Sequence, residues 1–131
     1  MVSAFLAFAF AFSAQLGPAP DVLPNTPQGQ RVAAYITAFN AGEDAFVSVY
    51  EVEMIQEMAA ATPPARRKEL YMRLVSELGR IRVERVLASS PKAITFSMRV
   101  PANNSTATFS FKFEEKAPYR ISAIDLEISQ R

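Results

Sequence analysis

The sequence predicts an α+β domain in which about three N-terminal helices pack on an antiparallel sheet of about four strands. Before Gly79 the apolar residues recur at the spacing of amphipathic helices. After Gly79 they alternate with polar residues, as in the stretch 94–100. A chain of 131 residues is long enough to bury one core without disulfides or metals. A run of helices followed by a run of hairpin-like strands is typical of an α+β domain, in which the helices cover one face of the sheet.

The composition excludes several classes of function. The chain has no cysteine and no histidine, so disulfides, thiolate ligands, ordinary zinc sites and histidine-based acid–base catalysis are all excluded. Its formal net charge of +1 gives no general reason to expect nucleic acid or an acidic membrane surface as a partner. We therefore predict no metal, no cofactor and no nucleic-acid partner.

The N-terminus has the pattern of an export signal. Residues 4–12 form a continuous apolar run, and the small residues Ala11, Ser13 and Ala14 lie where signal peptidase cleaves. This run is too short to span a bilayer. No Lys or Arg precedes it, so the α-amino group alone supplies positive charge. We expect a signal peptide at 1–14, a proline-rich linker at 15–25 and a domain at 26–131. The mature protein would then be periplasmic or extracellular, with no stable membrane span.

Two prolines that favour helix starts and two glycines that favour helix ends divide the helical half of the chain. Thr26 and Pro27 form an N-cap and first-turn pair, and Gly42 ends the first helix. A second helix begins at residue 43 or 44 and continues through the alanines before Pro63. A third follows to Gly79. The second helix is acidic and the third is basic, which indicates that the two face each other.

Four strands are predicted at 81–88, 93–100, 106–114 and 121–129. The alternation of the first strand is uneven at residues 84–86, which favours a bulge there. The middle strands are apolar on one face and carry Thr, Ser, Arg and Lys on the other, as expected when one face covers a core.

Several short segments of the sequence resemble the nuclear transport factor 2-like superfamily, in particular its small exported bacterial domains. The segments that carry the resemblance are 26–29 (Thr-Pro-Gln-Gly), 38–44 (Ala-Phe-Asn-Ala-Gly-Glu-Asp) and 119–121 (Tyr-Arg-Ile). The resemblance implies a strongly curved sheet wrapped around the helices, with a pocket at the wide end. It also implies dimerisation through the outer sheet face in some members, so both a monomer and a homodimer are open. Members include isomerases, dehydratases and protein-association modules, so the fold does not decide the function.

Aromatic and methionine side chains on the apolar faces are candidates for the walls of such a pocket, because they suit flat or irregular apolar ligands. The candidates are Tyr35, Phe39, Tyr50, Met54, Phe96, Met98, Phe111 and Tyr119.

Three functional hypotheses follow. The first is an exported, non-catalytic domain that binds a small apolar molecule or another protein. The second is a pocket enzyme of isomerase or hydrolase type that uses Glu84 or Asp125 as an inward carboxylate. Asp125 lies between Ile124 and Leu126, so it faces outward if those two face inward. The third is a cystatin-like protease inhibitor, against which the three helices before the first strand argue. No catalytic residue is assigned.

Overall fold

The computed structural model describes residues 22–130, and it confirms the α+β class. Four helices precede four strands along the chain. The helices are α1 (Pro27–Ala41), α2 (Glu43–Glu53), α3 (Gln56–Ala61) and α4 (Pro64–Leu78). The strands are β1 (Arg85–Ser89), β2 (Ala93–Val100), β3 (Ser105–Phe113) and β4 (Ile121–Ser129). The predicted signal peptide and most of the predicted linker lie outside the described residues.

Helix α1 begins and ends at the predicted residues. The Thr26 hydroxyl accepts a hydrogen bond from the Gly29 N–H at 3.1 Å, and Pro27 occupies the first turn. Gly42 ends the helix at φ 138° and donates its N–H to Ala38. An L side chain rarely adopts this φ, so glycine allows α2 to start immediately after α1.

The second predicted helix is interrupted at Met54, which divides it into α2 and α3. Met54 is extended and forms a parallel bridge with Ile121 at the start of β4. The next residue, Ile55, donates its N–H to the Ile121 carbonyl at 2.9 Å. The interruption therefore connects the helical layer to the sheet, and it leaves Met54 and Ile55 outside both helices.

Helix α4 is held against α2 and α3 by a buried arginine. The Arg67 guanidinium donates to the carbonyls of Thr62, Val47 and Ala59 at 2.6–2.9 Å. It also forms an ion pair with Glu51 at 2.8 Å. The predicted contact between the acidic and the basic helix occurs at this pair.

The sheet is open and antiparallel, with the strands in the order β1-β2-β3-β4. A register irregularity lies between Val86 and Ala88, slightly after the predicted bulge, and a second lies between Lys112 and Phe113. One face presents alternate residues of β2 and β3 to the helices, and these form the core with the apolar faces of α1, α2 and α4. The opposite face is polar and is called the outer face below.

None of the helices described between residues 22 and 130 has the length and the apolar character that a membrane-spanning helix needs.

Candidate functional site

A cavity of about 450 Å³ lies between the helices and the half of the sheet formed by β3 and β4. We call it the helix–sheet cavity. Its walls come from α1, α2, α3, α4, β3 and β4: Tyr35, Tyr50, Met58, Leu70, Arg73, Leu74, Glu77, Phe109, Ile124, Leu126 and Ile128. The inner walls are aromatic or aliphatic, so the cavity can hold an apolar molecule.

Alternation along the last two strands builds the sheet side of the cavity. Phe109 pairs with Leu126, and the neighbouring pairs place Ile124 and Ile128 on the same face. Phe109 is fully buried, whereas the three β4 residues are half-buried or exposed. Strand β4 is one of the two edge strands of the sheet.

Tyr35 forms the inner end of the cavity on the helical side. Its ring lies edge-on to Phe46 and Phe111, with centroid separations of 5.7 and 5.3 Å. These two contacts fix the plane of the phenol in the apolar core. Only 2% of the residue surface is exposed.

Tyr50 forms the wall between the helix–sheet cavity and a second groove along α4. Its ring packs edge-on against Phe46 at 5.7 Å, and the Arg67 guanidinium lies over the ring at 4.6 Å from the centroid. Only 4% of Tyr50 is exposed. The ring is therefore clamped between a neighbouring aromatic side chain and a cation that is itself anchored to three carbonyls.

The hydroxyls of Tyr35 and Tyr50 have no hydrogen-bond partner among the described residues. Every fully enclosed side-chain nitrogen or oxygen in the described part of the chain does have one. The two hydroxyls are therefore not fully enclosed, and both tyrosines line the cavity. Burial raises the pKa of each phenol above its ordinary value, so both remain neutral hydrogen-bond donors.

The outer end of the cavity carries the charged residues. Arg73 and Glu77 lie one helical turn apart on α4, and both are exposed. Arg73 also borders the groove along α4, together with Thr62, Arg66 and Glu69. Their spacing of four residues on one helix places opposite charges on the same side of α4.

The eight pocket candidates from the sequence separate into three groups in the structure. Tyr35 and Tyr50 line the helix–sheet cavity. The next five are core residues that do not line it: Phe39, Met54, Phe96, Met98 and Phe111. Tyr119 lies in the β3–β4 connection at φ 60°, away from the cavity.

Other side chains cover these five residues. The Phe39 ring contacts Phe46 and Tyr71, and Tyr35 lies edge-on to Phe111. The aromatic rings of β2 and β3 stack on each other at centroid separations of 5.1–6.2 Å. Alternation indicates that a residue faces inward, but it does not indicate whether another side chain covers it.

Several cavity residues were not singled out from the sequence as pocket walls. They are Met58, Leu70, Arg73, Leu74, Glu77, Phe109, Ile124, Leu126 and Ile128. The signals that point to them are the apolar stripe of α4 and the inward set of the last strand. These residues come from α3, α4, β3 and β4 and line one open space between the helices and the sheet.

The two carboxylates that the enzyme hypothesis named lie outside the helix–sheet cavity. Glu84 pairs with Arg82 at 2.6 Å and accepts a hydrogen bond from the Arg99 N–H at 2.8 Å. It borders a depression of the outer face that is lined mainly by exposed or half-buried residues. Asp125 lies opposite Ser110 on the outer face and is exposed. Neither carboxylate is placed to act on a molecule in the cavity.

Comparison of the chain with protein-family models, with curated proteins and with solved structures finds no match in any of the three. The resemblance to the nuclear transport factor 2-like superfamily therefore stays a prediction from the sequence.

Proposed function

We propose that this chain is an exported, non-catalytic binding domain that holds a small apolar molecule in the helix–sheet cavity. The observation that carries the proposal is the open space of about 450 Å³ between the helices and strands β3 and β4. Ligand pockets usually have volumes of roughly 300–1,000 Å³, apolar walls and a few polar groups. The predicted signal peptide at 1–14 makes export part of the proposal.

The distribution of carboxylates supports binding rather than catalysis. Among the described residues that line the cavity, Glu77 is the one carboxylate, and it is exposed at the mouth. Proton abstraction from a buried substrate needs a carboxylate within hydrogen-bond reach of the reacting atom. The inner end of the cavity presents two neutral phenols instead.

Native mass spectrometry of the purified protein tests the proposal, with two Leu→Trp variants as a matched pair. Leu126 lies in the cavity wall, whereas Leu87 is 52% exposed on β1 and lies outside the cavity. We expect wild type and Leu87→Trp to carry one additional small-molecule mass that denaturation removes. Leu126→Trp should carry less of this mass, because the larger side chain narrows the cavity.

Two results would contradict the proposal. Retention of the bound mass by Leu126→Trp would place the ligand elsewhere. A dimer or a bound polypeptide with no small-molecule mass, together with no uptake of apolar probes, would favour a protein-association domain.

A further inference from the structure

We infer that the ligand is a neutral molecule whose inner end carries a hydrogen-bond acceptor oxygen, which the hydroxyls of Tyr35 and Tyr50 bind. This inference rests on the proposed function, because it describes the occupant of the same cavity. It names the chemical class of that occupant: an apolar body with a carbonyl or similar oxygen at one end.

The first step concerns the cost of an unused hydroxyl. A hydroxyl removed from bulk water without a hydrogen bond is costly, so buried polar groups almost always have partners. Tyr35 is at least nine-tenths buried, and its hydroxyl has no partner among the described residues. Tyr35 lines the helix–sheet cavity. An acceptor placed there satisfies the hydroxyl without any rearrangement of the protein.

The second step concerns the pair of phenols. Tyr35 and Tyr50 both pack edge-on against Phe46, each at a centroid separation of 5.7 Å, and both line the helix–sheet cavity. Burial and, to a smaller extent, the Tyr50 phenol raise the pKa of Tyr35. An oxygen with two lone pairs can accept from two donors, as a carbonyl does.

The third step concerns charge. Burial dominates the raised pKa of both phenols, so the inner end of the cavity disfavours a negative charge. The nearest buried cation is Arg67, which is engaged with three carbonyls and with Glu51, and it does not line the cavity. Arg73 lines the cavity only at the mouth, beside Glu77. A neutral acceptor therefore suits the inner end better than a carboxylate does.

Three naphthalenes of similar size test the inference on the full-length protein by equilibrium dialysis. The probe 2-acetylnaphthalene carries a neutral carbonyl, 2-isopropenylnaphthalene replaces its C=O by C=CH₂, and 2-naphthoate carries an anion. The variants are Tyr35→Phe and Tyr50→Phe, which keep the ring contacts. Tyr119→Phe, outside the cavity, is the matched control.

We expect Tyr35→Phe and Tyr50→Phe each to weaken binding of 2-acetylnaphthalene by roughly three- to tenfold, since one neutral hydrogen bond is lost. Binding of 2-isopropenylnaphthalene should change by less than about twofold, and Tyr119→Phe should leave both affinities unchanged. The ligand-free variants should unfold at the same urea concentration as wild type or higher, because the deleted hydroxyls have no protein partner.

Other outcomes overturn the inference in distinguishable ways. If both neutral probes bind and neither variant discriminates between them, the hydroxyls do not bind the ligand, although the proposed function stands. Tighter, tyrosine-dependent binding of 2-naphthoate would assign an anionic ligand instead. If none of the three probes binds wild type, the proposed function fails and the inference fails with it.

Discussion

The side-chain amide of Asn40 forms two hydrogen bonds with the backbone of Ile81. Its Nδ2 donates to the Ile81 carbonyl at 2.8 Å, and its Oδ1 accepts from the Ile81 N–H at 3.0 Å. The end of α1 thus binds the chain just after α4 in the way that a neighbouring strand would. This contact fixes where the segment leading into β1 begins, and it explains the asparagine near the end of α1.

Replacement of Asn40 by alanine should destabilise the protein by about 1–3 kcal/mol, because both backbone groups of Ile81 lose their partners. The better helix propensity of alanine offsets only a few tenths of this loss. Urea unfolding measures the change. Thr37→Ala, at an exposed position of the same helix, is the control. Equal unfolding free energies of the two variants would show that the Asn40–Ile81 contact contributes nothing.

Replacement of Gly29 by alanine should also destabilise the protein, although alanine is the better helix former. A Cβ at this position would lie 1.9 Å from the Pro24 carbonyl oxygen, so the residues before α1 would have to move. Overpacking of this kind costs about 1–3 kcal/mol. Ala33→Gly, on the exposed side of α1, is the control and should destabilise the protein by about 1 kcal/mol, because glycine has a lower helix propensity than alanine. A stabilising Gly29→Ala would mean that Pro24 does not pack on α1 in solution.

Replacement of Arg67 by methionine should destabilise the protein by about 3 kcal/mol or more, because three half-buried carbonyls lose the buried cation that donates to them. The ion pair contributes less, since Glu51 is 64% exposed, and Glu51→Gln should cost below about 1 kcal/mol. Thermal unfolding of the variants tests both statements. Arg66→Met, at the exposed neighbouring position, is the matched control and should stay within about 0.5 kcal/mol of wild type. Similar losses for Arg66→Met and Arg67→Met would contradict this role of Arg67.

The fold class could be predicted because the two hydrophobic periods are local properties of the chain. The first helix boundaries depend on Thr26, Pro27 and Gly42, whose conformational preferences act within a few residues. The break at Met54 could not be predicted in this way, since Met54 and Met58 keep helical spacing across it. The cause of the break is the bridge to Ile121, a contact between distant parts of the chain.

The first strand and the site show the same limit. Residues 81–84 were predicted as strand, but Ile81 pairs with a side chain of α1, and β1 begins only at Arg85. Similarly, Tyr35 and Phe111 both lie at inward apolar positions of their elements. Tyr35 lines the cavity, whereas Phe111 does not and contacts the Tyr35 ring instead. The packing of the helices on the sheet decides which inward residue is covered.

Above about pH 10 the protein should lose stability, and Tyr35 and Tyr50 should account for part of this loss. Burial raises the pKa of both phenols in the folded state, and the charge of Arg67 opposes this only in part at Tyr50. An unfolded tyrosine releases its proton near pH 10 while the folded one keeps it, so the unfolded state binds fewer protons. The contribution of the two phenols to stability is therefore complete below about pH 10 and falls above it, by at most about 1.4 kcal/mol per pH unit for each phenol.

Urea unfolding at several pH values between 8.5 and 11 should show a shallower decline for Tyr35→Phe and Tyr50→Phe than for wild type. Tyr119→Phe serves as the control and should follow wild type; an unchanged decline in all three variants would show that the cavity phenols titrate as freely as exposed ones.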